Sequence, residues 1–170
     1  LSSSSAASDV YKRQEVAVHD STSVNLYQLI HGALALRPDR AVIAIDAHDF
    51  PSDRYIVDGI AAATGRTVRH GFDRLDDVAV VVRSMVDYRT AEVVDIATET
   101  ARATAAGALV IWDLSHAAGV LAVDLHGAGA QLAVGCTYKF LNGGPGAPAF
   151  TYVAKELQAE MTQPIWGWFS

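Results

Sequence analysis

Three residues of this 170-residue sequence have the types and spacing for chemistry: Asp113, His116 and Lys139. Asp113 stops an apolar run, Ala108-Leu-Val-Ile-Trp112, and His116 follows three residues later. A second apolar patch, Leu132-Ala-Val-Gly135, leads into Cys136-Thr-Tyr-Lys139 and then into a loop rich in glycine and proline. A lysine amine can condense with an aldehyde. A carboxylate beside a pyridine-type nitrogen keeps that nitrogen protonated and turns the ring into an electron sink. Asp113 and Lys139 are 26 positions apart, enough for a crossover and one further strand. Each residue also has a plainer reading. An Asp after an apolar strand is commonly a cap or turn residue, and a single loop Lys is commonly only solvated.

Taken together, a strand ending in Asp-x-x-His and a later strand ending in a lone Lys are what a pyridoxal 5'-phosphate (PLP) enzyme of the aspartate aminotransferase-like fold needs. The wording is more specific still. WDLSHAAGVLAVDLHGAGA followed by GCTYKFLNGGPGAPAF resembles the kynureninase family, PLP enzymes that split kynurenine into anthranilate and alanine. The resemblance implies that Lys139 carries the cofactor and that Asp113 pairs with its ring nitrogen. It makes Tyr138 an acid–base partner and places His116 beside cofactor and substrate.

The elements that must position these groups alternate along the chain. Glu15 to Val18 is a short strand-like run, and a helix is expected from Val24 to Leu36, with apolar residues at 26, 29, 30, 33, 34 and 36. Ser and Thr at its start can cap the free N–H groups, and the same geometry can hold an anion. The resemblance assigns Thr22 and Ser23 to the cofactor phosphate. Residues 41–45 form an apolar run suited to a strand covered on both faces. Ser52 is the expected N-cap of a helix from Asp53 to about Ala63, stopped by Gly65. Read locally, Phe50 packs in a core and Asp53 meets a helix dipole. In the kynureninase-like reading of Phe50-Pro-Ser-Asp53, the Phe50 ring stacks on the cofactor ring and Asp53 lies near its hydroxyl.

Residues 67–69 form a short strand, and the β-branched run 78–82 a buried one. The connection after it, Arg83 to Thr90, faces the site, because ligands of open α/β sheets gather beyond the carboxyl ends of strands. The resemblance puts Ser84 on the cofactor phosphate or nearby. Thr90 is the expected cap of a helix from Ala91 to about Ala106, with Val94, Ile96 and Ala97 packed and Glu92, Asp95 and Glu99 outward. After strands at 108–112, 132–135 and 149–153, Lys155 to Met161 starts a short helix. The closing Gly-Trp-Phe resembles a family segment whose Trp reaches the phosphate site across a dimer interface, and Trp168 takes that part.

Composition narrows the function classes. Apolar residues are 51% and charged residues 19%, as in a globular domain. The net charge of −6 argues against an extended nucleic-acid or anionic-membrane surface, and no apolar run approaches a membrane span. One cysteine, Cys136, allows no internal disulfide and suits a reducing cytoplasm. A buried packing role for it is favoured over a nucleophilic one. The other five histidines show no metal-ligand spacing.

The expected fold is α/β, three layers with a mostly parallel sheet. By resemblance it is the large PLP-binding domain of a fold type I enzyme, incomplete. Residues 1–14, Ser- and Ala-rich, read as a disordered or foreign segment on a truncated frame, and 15–170 as the partial large domain. The small C-terminal domain, which in the family grips the substrate carboxylate, is expected to be missing. The implied function is hydrolysis of kynurenine, or of 3-hydroxykynurenine, in tryptophan catabolism toward NAD biosynthesis, by a cytoplasmic homodimer when full length. Two alternatives stand: another class V PLP enzyme (an aminotransferase or a cysteine desulfurase), or an inactive fragment.

Overall fold

The computed structural model describes residues 13–166. Residues 1–12 and Trp168 therefore lie outside the described residues. Seven strands form one sheet: β1 (Val16–His19), β2 (Val42–Ile45), β3 (Thr67–His70), β4 (Val78–Ser84), β5 (Leu109–Asp113), β6 (Leu132–Cys136) and β7 (Ala149–Val153). Their spatial order is β1-β7-β6-β5-β4-β2-β3. Pairing is parallel from β6 through β5, β4 and β2 to β3, and β7 runs antiparallel to both its neighbours. The expected mostly parallel α/β sheet is present, and the strand positions lie close to those read from the apolar runs.

Among the described residues four α-helices accompany the sheet, α1 (Thr22–Ala35), α2 (Pro51–Thr64), α3 (Ile96–Ala105) and the single turn α4 (Lys155–Gln158), and a 3-10 turn at Arg13–Glu15 precedes β1. Strand side chains alternate between faces, and the core divides accordingly. Ile43, Ile45, Val80, Val82, Leu109, Ile111, Leu132 and Val134 pack with Leu26, Ile30, Val57 and Ile60 of α1 and α2. Val42, Ala44, Val81, Val110, Trp112 and Ala133 pack on the other side with Ile96 and Ala103 of α3 and with Leu125. This is the expected three-layer arrangement. Asp113 shares the parity of Leu109 and Ile111, so the pleat turns its carboxyl toward the α1–α2 layer.

Three helix starts differ from expectation. α1 begins at Thr22 rather than Val24, with Ser21 as N-cap accepting from the Val24 N–H at 3.3 Å. α2 begins at Pro51, and Phe50 holds the cap position that Ser52 was expected to fill. Pro suits a first helical position because its fixed φ is helical and its missing N–H is not needed there. Gly65 ends α2 with φ +69, as expected.

The largest correction is α3. It starts at Ile96, not Ala91, and Asp95 caps it by accepting from the Thr98 N–H. Upstream, the Asp87 carboxylate accepts from the N–H groups of Arg89 and Thr90 and closes a turn. Ala91 then takes φ +60, and Val86 bridges Val93. A local Asx turn thus outcompetes the helix, and Ala97, expected in the core, is exposed. Glu99, expected outward, is half-buried between Arg83 and Arg102. The link from β5 to β6 is a chain of turns rather than a helix.

Candidate active site

The carboxyl ends of β4, β5 and β6 meet the N-terminal ends of α1 and α2, the place where open α/β sheets hold ligands. A cleft of about 210 Å³ lies there. The α1 start contributes Ser21, Thr22 and Ser23, and the α2 start Phe50, Ser52 and Asp53. Asp113 and Ser115 come from the end of β5, and Tyr138 and Lys139 from the loop after β6. The residues expected at 22, 23, 50, 53, 113, 138 and 139 therefore converge from four segments.

Lys139 Nζ lies 3.0 Å from His116 Nε2 and 5.4 Å from the centre of the Phe50 ring. An ammonium can only donate, so Nε2 is the acceptor. Burial, then the Lys139 charge, hold the His116 imidazole below its ordinary value, so it stays neutral at neutral pH. The Phe50 ring also meets Tyr88 edge-on, with centroids 5.3 Å apart. Partial burial, then Cys136, push the Tyr138 phenol upward, and it keeps its proton at neutral pH.

The floor is acidic. Asp53 and Asp113 are 3% and 4% exposed. Burial, then the charges of Asp113 and Asp49, push Asp53 up to about 9. Burial raises Asp113 as well, opposed by its hydrogen bonds with Ser115, whose N–H donates to Oδ1 at 2.8 Å. Asp53 Oδ2 has no hydrogen-bond partner among the described residues. Two sequestered carboxyls facing one cleft, one with an unused oxygen, call for an occupant with a cationic or N–H/O–H edge. The opposite pole is an α1 start with no acidic residue in its first turn, which suits an anion. A flat ring with a protonated nitrogen at one end and a phosphate at the other matches both poles. The residues fit PLP.

Ser84, expected on or near the phosphate, stands in an adjoining cleft of about 230 Å³ with Asp46, Asp49 and Arg83. Its hydroxyl donates to Asp49 Oδ1 at 2.6 Å. Cys136 is buried, 3.8 Å from the Ser115 carbonyl oxygen. Asp49 and Ser115 were not singled out from the sequence. An Asp directly before a Phe-Pro turn, four residues past an apolar strand, is the signal that was available for Asp49.

Known proteins resemble this chain in sequence and in fold. The chain is 48% identical over 163 residues to kynureninase of Deinococcus radiodurans and 43% identical over 170 residues to that of Pseudomonas fluorescens. The chain is a homologue of kynureninase. Each match covers 91% of this chain but only 39% and 40% of those kynureninases, so the chain spans about two fifths of their length. No family model matches. Among solved structures, a cysteine desulfurase from Thermococcus onnurineus superposes with a TM-score of 0.82 at 18% identity, over 95% of this chain and 44% of its own. The cysteine desulfurase CsdA of Escherichia coli also gives 0.82, at 14% identity, over 96% and 44%. These establish the fold, that of fold type I PLP enzymes, and the expected kynureninase likeness is confirmed at the level of sequence.

Proposed function

We propose that the protein carrying this chain is a kynureninase, using PLP and water to cleave kynurenine into anthranilate and alanine. The observation that carries the reading is the meeting of Lys139, Phe50 and the Asp53–Asp113 acid pair in one cleft, on a chain homologous to kynureninases. In this reading Lys139 anchors the cofactor aldehyde, and Thr22 and Ser23 hold the phosphate. Asp113 would pair with the ring nitrogen, Asp53 would take the ring hydroxyl, and Phe50 would supply a wall for the ring. Bound there, PLP supplies the electron sink that makes a substrate C–H acidic and a C–C bond breakable.

The chain's own groups supply the proton transfers. Lys139 Nζ, where its amine is free, would accept the substrate's α-proton, and the neutral His116 Nε2 beside it would take up one of the amine's protons. The Tyr138 phenol, held protonated, donates to the carbon left behind when the C–C bond breaks. Water provides the hydroxyl that leaves in anthranilate, and the protonated fragment leaves as alanine. Ser84 belongs to the same cofactor surroundings through the adjoining cleft. Trp168 adds to the phosphate site from a partner subunit.

We further assign residues 15–170 to part of the large domain, and the protein to a cytoplasmic homodimer in tryptophan catabolism. No helix among the described residues is long and apolar enough to cross a membrane. A desulfurase reading needs a nucleophilic Cys on a mobile loop, and the one Cys of this stretch is buried. The test is PLP titration followed by visible absorbance, with Lys139→Ala alongside, and then kynurenine turnover by the full-length protein. A band absent from Lys139→Ala and anthranilate release by the native protein support the reading. Alanine released from cysteine but not from kynurenine overturns it.

A further inference from the structure

One buried carboxylate outside the expected set gathers three hydrogen bonds at the rim of the cleft. Asp49 is 8% exposed. Its Oδ1 accepts from the Ser84 hydroxyl at 2.6 Å and from the Phe50 N–H at 2.7 Å, and its Oδ2 accepts from the Ser84 N–H at 3.2 Å. These bonds join the end of β4 to the turn that starts α2. Neither partner is arbitrary. Ser84 is the register partner of Asp113 on the neighbouring strand. Phe50 begins the turn of α2 that carries Asp53, whose N–H donates to the Phe50 carbonyl at 3.0 Å. Phe50 also carries the ring beside Lys139.

We propose that Asp49 is a positioning residue: by clamping Ser84 to the Phe50 turn, it sets the spacing of Asp53 against Asp113 and holds the Phe50 ring beside Lys139. Among the described residues, the hydrogen bonds of Asp49 tie the α2 start to the end of β4, and without them both the acid floor and the aromatic wall shift together. The Asp49 charge also faces both acids and favours their protonated forms. Because the Ser84 hydroxyl proton is committed to Asp49, Ser84 offers its own adjoining cleft an acceptor and not a donor. The inference rests on PLP as the occupant.

The test compares native full-length protein with Asp49→Ala and Asp49→Asn by PLP equilibrium titration and by thermal unfolding of the cofactor-free forms. Asn keeps one carbonyl oxygen for Ser84 and Phe50, so it separates loss of the clamp from loss of bulk. Asp49→Ala should weaken PLP binding about tenfold, the order expected when charge-assisted hydrogen bonds to a buried group are lost. Asp49→Asn should recover most of that affinity. Thr100→Val, on the far face of the sheet, serves as a control for a general loss of stability. If Asp49→Ala lowers the unfolding temperature as the control does, yet binds PLP within twofold of native, Asp49 is only structural and the proposal fails. If the native protein itself binds no PLP, the functional reading fails instead.

Discussion

Replacing Asp53 by Asn should make the cofactor-free protein more stable at neutral pH, although Asp53 belongs to the binding site. Asp53 is buried and titrates near 9 in the folded chain, whereas an unfolded Asp titrates near 3.9. Between those values the folded state holds a proton that the unfolded state has released. Stability is therefore fully present below the unfolded value and lost as pH rises toward the folded one. One proton corresponds to a slope of about 1.4 kcal/mol per pH unit, or about 4 kcal/mol between pH 4 and pH 7 as an upper bound. Asn carries no charge at any of these pH values, so the slope due to this group vanishes in Asp53→Asn. Urea denaturation of both proteins without cofactor, from pH 5 to 8, measures the difference directly. The native protein should lose stability relative to the variant with each unit of rising pH, while the variant binds PLP more weakly. Parallel profiles would refute the reasoning, since they would mean that Asp53 is ionised in the folded protein.

Other perturbations test the supports of the site. Gly119 has φ +92, and a Cβ there would stand 2.6 Å from the Phe140 carbonyl oxygen, next to Lys139. Gly119→Ala should cost about 1–3 kcal/mol in denaturant unfolding and weaken PLP binding by displacing the Lys139 loop. Ser21→Ala removes the α1 cap and should cost about 1 kcal/mol, with a matching loss of phosphate affinity measured by calorimetry. Thr100→Val strands the Trp112 indole N–H, which donates to Thr100 at 3.0 Å inside the core. It should cost about 1–3 kcal/mol in unfolding and leave PLP affinity unchanged.

The strands β2, β4, β5 and β6 were legible because a parallel strand covered on both faces is written as an unbroken apolar run. Asp113 and Lys139 were legible as polar residues where such runs stop, and Gly65 as the end of α2. The start of α3 was not, because Thr90 looked like a cap while the Asp87 carboxylate captured the Arg89 and Thr90 N–H groups first. Two local signals competed, and only the folded backbone decides between them.

What the sequence determined by itself, then, is which residues lie at the ends of the buried strands, since those follow from local composition and period, while the helix starts were set by competing caps and turns. The tertiary structure alone decided which of them oppose one another. Sheet order brought β4 beside β5 and so Ser84 beside Asp113. The pleat turned Asp113 toward α2 rather than α3. Packing of α2 then delivered Asp53 to the same floor, and the turns after β5 set His116 against Lys139. The proton held near pH 9 on Asp53, the unused oxygen that marks a ligand's place and the Asp49 clamp all arise from groups distant in sequence. Their burial and mutual repulsion do not exist until the sheet has closed around them.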